Sequence, residues 1–419
     1  METLKGLYKR GFFHILGSTF LNKIVAFLAN IAIVRILSKN DYGVFSGAFN
    51  VFFIVFLFYG FGITLGVLYF CSKDISGEEK KNYYAWSLRF GFWTDLLLSI
   101  AILVYGLFFN VGIEEMRKYI ISLSALPMIA FLFEYYSVIL RAEKDNKKYA
   151  LYLNLHSVMY AGFAIVGALL FGIAGTIAGR YLAYIIAAVI GYFWCRKYTD
   201  FRPGKLEDSV RRDLTKYSVK AGITSALNVI LYRIDVAVIA MVVADASVLA
   251  SYKTGAQLPE NLTFVPRSLM LYFVPLFVQH LGNRDWIRRK TKEIYLAVTG
   301  IGVLLAIFVY AFAPFIVRLL WGEAYLDAVP CMRILTISFV LLSIRITSTS
   351  ILLALKRAGY TMAVSIITGT VNIGLDILLT MKYGSIGAAW ATLIVTFLAA
   401  ALSFPYVLYI VYSGKEKYE

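Results

Sequence analysis

Residues 151–195 read LYLNLHSVMYAGFAIVGALLFGIAGTIAGRYLAYIIAAVIGYFWC and carry a single charged side chain, Arg180. A helix needs about 20 apolar residues to cross about 30 Å of hydrocarbon, so this run is long enough for two crossings. The glycine-rich stretch GIAGTIAG at 172–179 interrupts the run near its middle and is typical of a tight turn. The segment therefore predicts two membrane-spanning helices joined by a very short connection.

The rest of the chain repeats this pattern. Its 419 residues are 60% hydrophobic and 16% charged, with a mean hydropathy of +0.73, whereas soluble domains are about 45–50% apolar and 25% charged. Long apolar runs without two-residue alternation favour helices over a membrane barrel. The sequence predicts an all-α polytopic membrane protein of about twelve spans. The predicted spans are 12–37, 44–70, 85–109, 119–140, 150–171, 176–195, 217–243, 255–280, 294–319, 329–355, 361–382 and 385–411.

Two halves are predicted from the connections and from an internal similarity. The longest and most charged connection divides a six-helix bundle at 1–195, a cytoplasmic linker at 196–216 and a second bundle at 217–419. YGVFSGA at 42–48 resembles ASYKTGA at 250–256, and GIAGTIAG at 172–179 resembles GSIGAAWA at 384–391. Because six spans is an even number, the halves are expected to be related by a pseudo-twofold axis along the membrane normal.

The distribution of basic residues predicts the orientation. The formal net charge is +16, and most of the excess lies at the N-terminus and in the connections that follow even-numbered spans. Lys and Arg are retained on the cytoplasmic side, so both termini are expected there. The basic balance then reflects topology and anionic lipid headgroups, and no nucleic-acid partner is expected. The remaining connections are short and leave no room for a folded periplasmic domain.

Three stretches resemble the polysaccharide transporter (Wzx-type) branch of the multidrug/oligosaccharidyl-lipid/polysaccharide exporter (MOP) superfamily. They are LSKNDYGVFSGAF at 37–49, VNIGLDILLTMKYGSIGAAWATLI at 371–394 and the weaker LLWGEAYLDA at 319–328. The resemblance implies a V-shaped, two-bundle flippase in the bacterial inner membrane, whose central cavity opens alternately to each side. Its substrate would be an undecaprenyl-diphosphate-linked oligosaccharide, such as an O-antigen, capsule or exopolysaccharide repeat unit, moved from the cytoplasmic to the periplasmic leaflet. Membrane lipids are expected partners, the polysaccharide polymerase and chain-length machinery are candidate partners, and a monomer is expected.

Charged residues deep in spans are the candidate functional residues, because each costs at least about 2.5–3.5 kcal/mol to insert. Cations converging on one cavity would compensate the substrate diphosphate, and interhelical ion pairs are their alternative role. Lys23 and Asn30 are seven residues apart and share a helical face. Arg89 and Arg180 are expected to reach the membrane surface instead. The candidate substrate-binding residues are Lys23, Asn30, Arg233, Arg267 and Arg345.

Buried carboxylates are the candidates for ion coupling, because such a group can bind and release a proton or ligate Na⁺. The candidates are Asp95, Glu134, Asp235 and Asp376, with Asp95 and Asp376 preferred. The sequence does not distinguish H⁺ from Na⁺. No other cofactor is expected, and the three cysteines show neither metal-ligand nor disulfide spacing.

Two other classes of function are less consistent with the sequence. A membrane polymerase or glycosyltransferase generally places catalytic groups in large extracytoplasmic loops, which are not predicted, so a secondary transporter without catalytic residues is expected. No G-x-x-x-x-G-K-[ST] motif for a nucleotide-driven pump occurs in the sequence. A multidrug or metabolite exporter of the same superfamily is the alternative function.

Overall fold

The computed structural model describes residues 12–73, 75–199, 206–230 and 234–413, and these residues contain helices and no β-strand. They form two compact units, 1–230 (unit 1) and 231–419 (unit 2). The predicted all-α polytopic fold class is therefore confirmed. The division falls after Ile230, so 208–230 belongs to unit 1, whereas the sequence boundaries assign 217–230 to the second bundle.

Unit 1 is built from eight α-helices in its described part, with short 3-10 turns at Tyr59–Gly62 and Glu114–Met116. Local capping explains where several of them begin. The Ser38 hydroxyl accepts the Asp41 N–H at 3.1 Å, and the Ser76 hydroxyl accepts the Glu79 N–H at 3.1 Å; each satisfies an N–H that has no partner within its helix. The helices are α1 (Phe12–Ile36), α2 (Lys39–Phe56), α3 (Ile63–Cys71), α4 (Gly77–Phe108), α5 (Arg117–Leu123), α6 (Leu126–Ala142), α7 (Asn146–Cys195) and α8 (Asp208–Ile230).

The glycine-rich turn predicted in residues 151–195 lies inside α7. Gly172 has φ 57° and ψ −133°, which reverses the chain direction without ending the run of helical residues. After the turn the two arms pack backbone against backbone. A Cβ built on Gly175 would lie 2.0 Å from the carbonyl oxygen of Gly167, so only glycine fits at this contact.

A second break separates α2 from α3 within one predicted span. Gly60, Phe61 and Gly62 have φ values of 54°, 45° and 77°, and α8 packs directly on this break. A Cβ built on Gly62 would lie 2.4 Å from the carbonyl oxygen of Ser218. This close contact is the physical reason that α8 belongs to unit 1.

Unit 2 has six α-helices in its described part and a 3-10 turn at Glu323–Ala328. Its last helix contains two predicted spans, and Gly384 turns the chain with φ 59° and ψ −139°. The helices are α9 (Asp235–Val242), α10 (Ala246–Leu262), α11 (Phe264–Gln279), α12 (Arg284–Leu320), α13 (Val329–Ala354) and α14 (Ala358–Tyr412).

The predicted spans are helical in the structure, but most of the helices begin or end at residues other than those predicted. Within the described residues, seven continuous helical stretches, or eight with one bent pair, are long and apolar enough to cross a membrane. Two of these, Asn146–Cys195 and Ala358–Tyr412, each contain two predicted spans folded at a glycine. About twelve spans are consistent with this helix order. The span predicted at 217–243 begins earlier, at Asp208, and divides between α8 and α9 around residues outside the described part.

Candidate functional site

Buried carboxylates of unit 2 meet at one place. Asp235 at the start of α9 is 8% exposed, and Asp376 on α14 is fully buried. The Asn372 side-chain amide donates to both, at 3.4 Å to Asp235 Oδ1 and 2.7 Å to Asp376 Oδ2. The sequence named both carboxylates as candidates, and the fold brings them together across 141 positions of the chain, from 235 to 376.

Hydroxyl groups complete this cluster. Tyr252 and Thr392 both donate to Asp235 Oδ2, the latter at 3.1 Å. Asp376 Oδ1, in contrast, is buried and accepts no hydrogen bond from an N–H or O–H of the described residues, although the Asp376 and Asp235 carboxyl groups lie within hydrogen-bonding reach of each other. A buried carboxylate oxygen without a donor is costly. We call Asp235, Tyr252, Asn372, Asp376 and Thr392 the carboxylate cluster.

The chemistry of this cluster suits a small hard cation or a proton. All of its possible cation ligands are oxygen atoms, which hard cations prefer. Among the described residues, no group of three or more His, Cys, Asp or Glu side chains could hold a metal ion. The described side chains therefore do not form a transition-metal site. Two carboxylates with an amide and a hydroxyl can instead hold one positive charge.

The acidic candidates of unit 1 are arranged differently. Asp95 on α4 is fully buried, and its Oδ2 accepts the Gly60 N–H at 2.6 Å, at the break between α2 and α3. Its Oδ1 has no hydrogen-bond partner among the described residues. Glu134 on α6 is half-buried, and both carboxyl groups lie near Tyr59. Asp95 therefore holds a backbone break, a role that the sequence did not indicate.

The candidate cations occupy three described sites and one undescribed position. Lys23 and Asn30 lie half-buried on α1, and Asn30 accepts a 3.2 Å hydrogen bond from the Tyr42 hydroxyl. Arg345 is half-buried on α13, whereas Arg267 on α11 is exposed. Arg233 lies outside the described residues. The substrate-binding roles of these residues stay predictions.

Polar residues around Arg345 contact neighbouring helices. Ser338 donates to Thr396 on α14 at 3.1 Å, and Ser348 and Tyr295 on α12 share a 2.7 Å hydrogen bond. Serine and threonine often join membrane helices in this way. These two serines therefore help to pack α13 against its neighbours.

The expectation that Arg180 reaches the membrane surface is wrong. The side chain is 7% exposed and lies among three aromatic rings of unit 1. Its guanidinium carbon is 3.9 Å from the ring centroid of Phe49, 4.7 Å from that of Phe45 and 4.8 Å from that of Tyr160. The expectation was wrong because position within a span gives depth but does not reveal which neighbouring helix covers a side chain.

Comparisons with known proteins identify the kind of chain. The family model described as "Polysaccharide biosynthesis protein" matches residues 8–280. A search of curated proteins finds no match. Because the family match spans more than half of the chain, it establishes family membership.

Solved structures share the fold at low sequence identity. An inward-facing multidrug resistance MATE family transporter of the MOP superfamily has a TM-score of 0.76 at 15% identity, covering 94% of this chain and 95% of that one. The lipid II flippase MurJ, in an inward closed conformation, has a TM-score of 0.73 at 16% identity, covering 95% of this chain and 87% of that one. A MATE transporter of Vibrio cholerae has a TM-score of 0.64 at 17% identity, covering 100% of both chains. These likenesses confirm the fold that the sequence motifs imply, and the family match agrees with their resemblance to polysaccharide transporters.

Proposed function

The chain belongs to the polysaccharide biosynthesis protein family and has the fold of MOP superfamily transporters, and from this premise we propose that it is a lipid-linked oligosaccharide flippase. It carries an undecaprenyl-diphosphate-linked oligosaccharide from the cytoplasmic to the periplasmic leaflet of the bacterial inner membrane, by ion-coupled alternating access. The family match over residues 8–280 is the observation that carries this proposal. A secondary transporter, not an enzyme, follows from the same reasoning.

Cations in the helices support an anionic substrate. Lys23 and Arg345 are half-buried within α1 and α13, where a charge is retained only at a cost of at least about 2.5–3.5 kcal/mol. A diphosphate that leaves water needs compensating charge and hydrogen-bond donors, which Lys and Arg supply. We assign Lys23, Asn30 and Arg345 to substrate binding, with Arg233 and Arg267 as further candidates.

Asp235 and Asp376 are the proposed ion-coupling residues of unit 2. Both share the Asn372 amide, and Asp376 Oδ1, which accepts no N–H or O–H of the described residues, keeps its lone pairs available to a cation. A bound H⁺ or Na⁺ would supply the positive charge that two neighbouring buried carboxylates lack. Asp95 and Glu134 are the corresponding candidates in unit 1.

The alternative function is a multidrug or metabolite exporter, which is favoured by the TM-score of 0.76 to a MATE transporter. In that case the carboxylate cluster would bind an organic cation directly. The two functions differ in the charge of the substrate, so ligand selectivity distinguishes them.

The experiment is thermal stabilisation of the purified protein. Undecaprenyl-diphosphate-linked oligosaccharide is compared with undecaprenyl phosphate and with cationic drugs, in the wild type and in Lys23→Ala and Arg345→Ala. Arg89→Ala, which removes an exposed arginine from α4, is the matched control. The flippase function predicts that the lipid-linked sugar selectively stabilises the wild type, that both test variants weaken this stabilisation and that the control variant keeps it. Stabilisation by cationic drugs alone would instead support the exporter.

A further inference from the structure

The two glycine turns allow positions in the two units to be compared. Gly172 and Gly384 have nearly the same backbone conformation, with φ 57° and ψ −133° in the first and φ 59° and ψ −139° in the second. Arg180 and Thr392 each lie eight residues after their glycine, and the flanking sequences GIAGTIAG and GSIGAAWA are similar. Arg180 is therefore the unit 1 counterpart of Thr392, a member of the carboxylate cluster.

The equivalence extends to a second pair of residues. Tyr160 lies twelve residues before Gly172, and Asn372 lies twelve residues before Gly384. In unit 2, Asn372 and Thr392 both bond to Asp235. In unit 1, the Tyr160 ring is 4.8 Å from the Arg180 guanidinium. The same location in the repeat thus holds two carboxylates in one unit and a guanidinium with aromatic rings in the other.

The surroundings of Arg180 leave two of its nitrogens without a hydrogen-bond acceptor among the described residues. Phe45, Phe49 and Tyr160 approach the guanidinium as ring contacts, and such contacts involve the π-electrons of the ring instead of a hydrogen-bond acceptor. Nε and Nη1 are buried and have no hydrogen-bond partner in the described part of the chain. Arg180 also forms no ion pair with a described residue, and Asp95, a buried carboxylate of the same unit, accepts the Gly60 N–H instead.

The two unpaired nitrogens of Arg180 require an explanation. Buried donors in folded proteins are almost always paired, so an unpaired buried group requires an explanation, and an absent ion or ligand is one of the recognised explanations. Guanidinium N–H groups lie in one plane and match the two oxygens of a phosphate or carboxylate. Rings that hold the side chain in place would orient that edge before the ligand arrives.

We infer that unit 1 contains an oxyanion subsite, in which Arg180, held among Phe45, Phe49 and Tyr160, receives a phosphate or carboxylate group of the transported molecule. The inference rests on the proposed flippase function and adds a specific residue for the acidic part of its substrate. Two sources share this chemistry: the diphosphate of the lipid carrier and an acidic sugar of the oligosaccharide.

The test measures anion binding to the purified full-length protein by thermal shift, with potassium diphosphate, potassium glucuronate and undecaprenyl-diphosphate-linked oligosaccharide as probes at constant ionic strength. Arg180→Met removes the charge and keeps the length, and Arg180→Lys keeps the charge and loses the planar edge. We expect affinity for at least one small anion to fall about tenfold or more in Arg180→Met, as expected for loss of a charged hydrogen bond. We expect a smaller loss in Arg180→Lys.

The small-anion arms identify the source of the oxyanion. Loss of diphosphate binding indicates the carrier, and loss of glucuronate binding indicates an acidic sugar. Equal binding in wild type and Arg180→Met, or no anion binding by the wild type, would overturn the subsite. If the lipid-linked sugar stabilises both proteins equally, the subsite fails and the flippase stands; if only small anions bind, and through Arg180, the subsite stands and the flippase fails.

A measurement without ligand tests the unpaired state of Arg180 independently. Arg180→Met replaces a buried, unpaired charge with an apolar side chain of similar length, so its ligand-free melting temperature is expected to exceed that of the wild type. A lower melting temperature would mean that the guanidinium already stabilises the folded protein without a ligand, which would contradict the inference. Arg89→Met, at an exposed arginine, is the matched control.

Discussion

The carboxylate cluster gives the sharpest prediction, because its repulsion can be calculated from the hydrogen bonds. Asp235 Oδ1 and Asp376 Oδ2 bond to the same Asn372 nitrogen, at 3.4 and 2.7 Å, so these oxygens are about 6 Å apart at most. With both groups ionised, two unit charges at that distance or closer repel by at least about 3 kcal/mol at an effective dielectric constant of about 20. Replacing Asp376 with Asn removes that repulsion and keeps a side chain of the same shape.

Asp376→Asn is therefore expected to melt at a higher temperature than cation-free wild type at alkaline pH. A gain of about 3 kcal/mol corresponds to about 6 °C if each kcal/mol raises the midpoint by about 2 °C. In the wild type, a bound cation provides the same relief, so Na⁺ or a lower pH should raise the midpoint. In Asp376→Asn, this response should be largely lost.

Tryptophan fluorescence during heating measures both effects, in buffers that replace Na⁺ with an organic cation and at several pH values. A rise with Na⁺ at constant pH identifies sodium, and a rise with falling pH in sodium-free buffer identifies the proton. Asp285→Asn is the matched control, because its carboxylate is 96% exposed. A variant less stable than cation-free wild type, or one with the full cation response, would refute the assignment of this cluster to ion coupling.

Three further predictions test the packing and the orientation. Gly175→Ala is expected to destabilise the protein by about 1–3 kcal/mol, because the added Cβ would clash with the backbone of the neighbouring helical arm. Gly162→Ala is the control, because nothing lies within 4 Å of its Cβ. Thermal melts compare the two variants. Asp95→Ala should lower the melting temperature more than Asp95→Asn, because only the alanine leaves the buried Gly60 N–H without an acceptor, at a cost of about 1–3 kcal/mol. If both termini are cytoplasmic, Asn110→Cys should react with a membrane-impermeant maleimide on intact cells. The three native cysteines are buried and should give a low background. Labelling of this variant only after the membrane is opened would reverse the predicted orientation.

Apolar length made the helices predictable, but most of the helix ends differ from the ends of the predicted spans. Two spans within 151–195 could be inferred because a run of this hydropathy can satisfy its backbone in lipid only as helix, and glycine permits the turn at 172. The beginning of α8 at Asp208 was not predicted, because the first turns of that helix are charged and resemble a linker in sequence. The assignment of α8 to unit 1 depends on its close packing against Gly62, which a pattern of residue types does not reveal.

The candidate sites were predictable residue by residue but not as arrangements. Asp235 and Asp376 could be named because carboxylates in spans are costly, yet their shared amide required the tertiary fold. Arg180 was assigned to the surface because the sequence contained no indication that Phe45 and Phe49 would cover it. One signal was present in the sequence. When the two glycine turns are aligned, Arg180 occupies the position equivalent to Thr392, and Asp376 lies near Thr392 in the sequence of the second half.

The divergence of these equivalent positions has a physical rationale. Two copies of one helical hairpin offer the same backbone framework, but a single location cannot bind a cation and an oxyanion with the same side chains. In unit 2, one amide donates to both carboxylates and hydroxyls donate to Asp235 alone. In unit 1, aromatic rings surround a guanidinium whose Nε and Nη1 lack acceptors among the described residues. The proposed function, which couples a cation to the movement of an anionic lipid, needs both kinds of site. On this reasoning, exchanging the polarity of either location should abolish coupling while leaving the hairpin intact, because the hairpin depends on its glycines and not on these charges.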